Sequence, residues 1–170
     1  NPPVNILDAD TIDCAISSVQ LDGTGTATGA NFVYTWTTTD GVIVNGANSL
    51  TPEVSSGGAY TLTVLNTVNN CASEEVVDVP QDIDPPGVFA GDPANLNCTV
   101  AELSLNASIS GATNIQYTWS TPDGNILTGD NTLNPVVDAP GTYQLDATNL
   151  DNSCSESAQV EIGVDLEIHI

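Results

Sequence analysis

The chain has 170 residues, 40% of them hydrophobic, with 22 Asp and Glu, one His and neither Lys nor Arg. Such a single-sign surface has no cations to displace counterions from phosphates or to dock on anionic lipid, which excludes nucleic-acid binding and electrostatic membrane association. No apolar run reaches the roughly 18 residues of a membrane span, so no membrane insertion is expected.

In chain order, the opening NPPVNI follows no Met and no signal pattern, and reads as the start of a mature or excised piece of a longer protein. TIDC, ending at Cys14, is a short first strand, and VQLDG (19–23) makes the next. Phe32, Tyr34 and Trp36 then alternate with Val33, Thr35 and Thr37, and the Asp40–Gly41 pair between apolar runs predicts a hairpin. In AYTLTVLN (59–66), Tyr60, Leu62 and Val64 occupy one face of a strand whose other face is wet. Cys71 falls in the turn VNNC, and EEVVDV (74–79) is the last strand before QDIDPPG (81–87), whose prolines cannot donate to a ladder.

The whole series then recurs. YTWTTTDGVIVNG (34–46) and YTWSTPDGNILTG (117–129) share eight of thirteen positions at an offset of 83. LSLNA (103–107), Ile115–Tyr117–Trp119, Asp123–Gly124, TYQLDATN (142–149) with Tyr143 and Leu145, Cys154 in DNSC, and AQVEI (158–162) repeat the earlier segments. The predicted organisation is a first unit over 1–83, a second over 84–165, and the start of a further strand or linker at 166–170. Short strands, turns every 8–12 residues and one Trp in the third strand predict an all-β protein of two tandem Greek-key sandwiches, laid end to end.

The order V-x-L-D-G-x-G, Y-x-W-x-x-x-D-G, G-x-Y-x-L-x-V-x-N resembles PKD-like and immunoglobulin-like repeats, over almost all of both units. That resemblance implies large secreted surface proteins of gliding and adhesive bacteria of the Bacteroidetes type. The function it implies is structural and non-catalytic: an extracellular repeat unit of a filament, stalk or adhesin, polymerising end to end with copies or neighbouring repeats. The alternative is a cell-surface module that binds a glycan or a surface protein.

Four cysteines, two per unit, predict disulfides in an oxidising compartment. One pairing, Cys14–Cys71 with Cys98–Cys154, closes each unit on itself. A second bonds Cys14 to Cys154, stapling the units and leaving Cys71 and Cys98 for units before and after. Strand length is the argument for the staple, because Cys14 and Cys71 are expected at opposite ends of a sandwich and a disulfide needs Cα atoms within about 7 Å. Strand ends lying a few residues from their expected positions would restore the pairing within each unit, so both stay open from sequence. Trp36, Tyr60, Trp119 and Tyr143 are expected in the cores, although exposed tryptophans would suit a sugar platform. Asp82, Asp84 and Asp92 near the predicted junction are candidate calcium ligands, with no other cofactor expected. No nucleophile–base motif is legible, and His169 has no motif partner.

Overall fold

In the computed structural model, residues 1–165 are described; the further strand expected at 166–170, and His169 with it, lie outside them. The chain divides into two units, Asn1–Ile83 and Asp84–Ile170. The described residues contain strands and turns and no helix.

The first unit carries β1 (Ile12–Asp13), β2 (Val19–Gln20), β3 (Phe32–Thr38), β4 (Ile43–Asn45), β5 (Glu53–Val54), β6 (Gly58–Asn66), β7 (Cys71–Val79) and β8 (Gln81–Asp82). One sheet has the antiparallel order β3-β6-β7, the other β2-β5-β4, while β1 and β8 pair in parallel. The period-2 pattern of β6 decides what lies between them: Tyr60, Leu62 and Val64 are fully buried. They form one core with Trp36, Leu21, Val54, Val77 and Val79. Burying each large apolar side chain contributes about 1.5–3 kcal/mol, so this one strand commits much of the unit's stability.

The second unit repeats the plan with β9 (Gly87–Phe89), β10 (Ala94–Leu96), β11 (Leu103–Ser104), β12 (Ser108–Ser110), β13 (Ile115–Ser120), β14 (Ile126–Thr128), β15 (Val136–Val137), β16 (Gly141–Asn149) and β17 (Ser155–Val164). Its sheets are β10-β17-β16-β13 and β11-β15-β14, with β9 and β12 paired at one side. Tyr143, Leu145 and Val137 are fully buried beside Trp119. One difference has a plain cause. Pro80 interrupts the first unit's last strand, whereas its counterpart Gly163 keeps an N–H, so β17 runs unbroken and β10 joins it in parallel.

The Asp-Gly pairs do not close hairpins. β3 pairs with β6 and β4 with β5, so Asp40–Gly41 carries the chain from one sheet to the other. Asp123–Gly124 does the same between β13 and β14. The acid has a different task there: Asp40 Oδ1 accepts the Ala59 N–H at 3.1 Å, and Asp123 Oδ1 accepts that of Thr142 at 2.8 Å. Gly58 and Gly141, at φ 142° and 155°, let the chain pass beside that carboxylate.

Each unit also has a tyrosine corner. The Tyr60 hydroxyl donates to Ser56 O at 2.7 Å and accepts the Val42 N–H at 2.9 Å. Tyr143 donates to Ala139 O at 2.6 Å and accepts from Asn125 at 3.0 Å. Both units are immunoglobulin-like β-sandwiches.

Candidate functional site

The cysteines sit in two kinds of turn, and each kind occurs once per unit. In the first kind, a side-chain oxygen just before the cysteine caps the turn. Asp13 Oδ1 accepts the Ala15 and Ile16 N–H groups at 2.8 and 2.7 Å, with Cys14 between. Asn97 Oδ1 accepts those of Thr99 and Val100 at 2.9 and 2.8 Å, with Cys98 between. A backbone bond closes both loops, Asp13 N–H to Ile16 O at 3.0 Å and Asn97 N–H to Val100 O at 2.9 Å. In the second kind, the residue before the cysteine is left-handed, Asn70 at φ 55° and Ser153 at φ 58°. Asn69 Oδ1 then accepts the Cys71 N–H, and Asn152 Oδ1 that of Cys154, both at 3.0 Å.

Strand length keeps the two kinds apart within a unit. Cys71 opens β7, a nine-residue strand, and Cys14 follows β1, which pairs with β8 beyond the other end of β7. Nine residues span roughly 26 Å. In the second unit the ten residues of β17 separate Cys154 from the parallel partner strand of Cys98. Neither unit can close a bond on itself. Cys14 and Cys154 are disulfide-bonded, whereas Cys71, partly exposed, and Cys98, exposed, are free thiols. The pairing Cys14–Cys71 with Cys98–Cys154 is therefore absent, and Cys71 and Cys98 have no disulfide within this single chain. Cys71 is also the first residue of a strand rather than part of the turn before it.

Each bonded cysteine lies close to the boundary residue of its own unit. Cys14 Sγ is 4.0 Å from the Ile83 carbonyl oxygen. Asn152, two residues before Cys154 and 2% exposed, donates through Nδ2 to Asp84 O at 2.9 Å. Residue types alone could have flagged these turns, since Asn stands two before the cysteine at 69 and 152 and Asp or Asn one before it at 13 and 97.

The aromatic residues are core components. Trp36 and Trp119 are 2% and 4% exposed, and each indole N–H is held by a carbonyl, Ser49 O at 2.9 Å and Thr132 O at 3.0 Å. A sugar platform on these rings would need them at the surface. Among the described residues, no group of three or more His, Cys, Asp or Glu could hold a metal ion, and Asp82, Asp84 and Asp92 are each exposed. The hydroxyl and backbone N–H of Thr24 hold the Asp22 carboxyl below its usual range, from 2.6 and 2.8 Å. No helix among the described residues is long and apolar enough to cross a membrane.

No protein-family model and no curated protein matches the chain. Among solved structures, an I-band fragment of titin is similar over 98% of this chain and 65% of its own, at 13% identity and a TM-score of 0.46. The PKD domain of human KIAA0319 covers 51% of this chain and 87% of itself, at 15% identity and 0.43. The insect immune protein hemolin, described with implications for homophilic adhesion, covers 97% of this chain at 11% identity and 0.48. This chain spans 65% of the titin fragment and 47% of hemolin. At these identities the likeness concerns the fold alone.

Proposed function

We propose that this chain is a structural, non-catalytic repeat module of an extracellular bacterial filament, stalk or adhesin, stapled by a Cys14–Cys154 disulfide and joined end to end to further copies. The observation that carries the reading is the placement of the two bonded cysteines. One lies beside Ile83 and the other in the turn bonded to Asp84, and these residues are sequence neighbours, about 3.8 Å apart at Cα. A bond between Cys14 and Cys154 would add a second covalent tie between the two units to the one the chain itself provides. Persistent disulfides belong to oxidising compartments, which supports an extracellular setting. With no lysine among these 170 residues, they cannot supply the amine of a Lys–Asn isopeptide bond, and sulfur is their remaining ordinary means of covalent reinforcement. The bacterial assignment rests on the sequence resemblance. A glycan-binding role has lost its main support, since both indoles are inside cores.

Trypsin has nothing to cut here, but a glutamate-specific protease separates all four cysteines, into peptides 1–53, 54–74, 76–102 and 103–156. After the free thiols are alkylated, a non-reducing digest should yield 1–53 linked to 103–156. Recovery of 1–53 linked to 54–74 would end the reading.

A further inference from the structure

We infer that the partner of Cys98 is Cys71 of a second copy of this chain, and that a groove in the second sandwich receives the second copy's Cys71 turn. The inference rests on the end-to-end reading above and supplies its chemistry.

The chain contains its own template for this joint. Cys98 sits in the same capped turn as the bonded Cys14, and Cys71 in the same left-handed turn as the bonded Cys154. Each free thiol thus has the local backbone geometry of one half of an existing disulfide. Burial separates the bonded turn from the free one. Cys154 and Asn152 are 1% and 2% exposed, whereas Asn69 is exposed, Cys71 partly so, and Val68 beside them is 71% exposed. The first unit therefore presents a fully formed turn, with Val68 exposed among Thr67, Asn69 and Asn70, that no described residue covers.

A receptor of matching character lies in the second unit. Leu96, Cys98, Ala101, Pro140 and Val164 line a groove of about 310 Å³, its lining mostly apolar. Val164 and Asp165, also there, are the repeat counterparts of Gln81 and Asp82, which lead to the Ile83 carbonyl beside Cys14. The groove is the place in unit two that corresponds to the surroundings of Cys14 in unit one. A second copy is the occupant because only a Cys71-type turn reproduces the partner that Cys14 has already taken. The contact is heterologous, so each copy keeps one thiol for a further copy and the product is a chain of copies, open or closed into a ring according to the rotation between them.

The bond forms by two thiol–disulfide exchanges with a low-molecular-weight disulfide as oxidant. The Cys98 thiolate attacks one sulfur of the oxidant and expels a thiolate. The Cys71 thiolate of the second copy then attacks the Cys98 sulfur of that mixed disulfide and expels the other half. Two protein thiols lose two electrons and two protons, and the oxidant becomes two thiols.

Purified full-length protein is incubated with oxidised glutathione, with salt at about 0.5 M to shorten the range of repulsion between acidic copies. Non-reducing electrophoresis should show a ladder of chain multiples that collapses with reductant, and the digest should link 54–74 to 76–102. Cys71→Ser or Cys98→Ser alone should stop at monomer, whereas an equimolar mixture of the two should give dimer and nothing larger. Ala101→Trp, which fills the groove, should slow dimer formation at least tenfold while a small alkylating reagent still modifies Cys98 at the normal rate. Self-linked 54–74 or 76–102, no dimer in the mixture, or an undiminished rate with Ala101→Trp would overturn the inference. The 1–53 to 103–156 link would survive that failure; its own absence would instead remove the staple.

Discussion

At the scale of single residues, two tyrosine hydroxyls fix the architecture of the sandwiches. Tyr60 and Tyr143 lock the crossing between sheets through a hydroxyl that serves two backbone groups at once. Tyr60→Phe keeps the buried ring but leaves the Val42 N–H and Ser56 C=O without that partner, an omission worth about 1–3 kcal/mol. Thermal or denaturant unfolding should show the first sandwich destabilised by that amount, and Tyr143→Phe should do the same to the second. Alternation alone was enough to assign the buried Tyr, Leu and Trp positions from sequence. The hydroxyl's partners were not legible, because Ser56 and Val42 approach Tyr60 only once both sheets exist.

At the scale of elements, sequence pattern located strands better than it located their partners. The long strands β3, β6, β13 and β16 were visible because half of each is apolar at period two. The Asp-Gly signal was read as a hairpin because its residues suit a tight turn, yet the residues themselves carry no mark of which sheet follows. The last strand also starts earlier than EEVVDV suggests, since its inward positions Cys71, Ser73 and Glu75 break the apolar rhythm. Glu75 stands opposite Leu62 with Oε2 buried and no hydrogen-bond partner among the described residues. The equivalent position across from Leu145 is Ala158. Glu75→Ala, which copies the second unit, should therefore stabilise the first by about 1 kcal/mol. A lowered melting temperature would show that the carboxylate has a use.

At the scale of the whole molecule, the repeat was the most legible feature and the state of its cysteines the least. Offsets of 83 and 84 follow directly from the letters. The choice between closing each unit and stapling two depended on where strands end, which differs by a few residues and decides everything about reach. β7 and β17, at nine and ten residues, are long enough to make the internal pairing impossible.

The same pair of bonded cysteines governs how the molecule would respond to tension. With Cys14 joined to Cys154, a pull on the two termini can straighten only the thirteen steps before Cys14 and the sixteen after Cys154, roughly 100 Å of contour. Everything from 15 to 153 is shielded, whatever happens to its hydrogen bonds. Cys14→Ser opens the full chain, roughly 560–610 Å. Single-molecule stretching should record that difference directly, the oxidised protein behaving as a short, stiff tether and the variant lengthening in two separate unfolding steps, one for each sandwich.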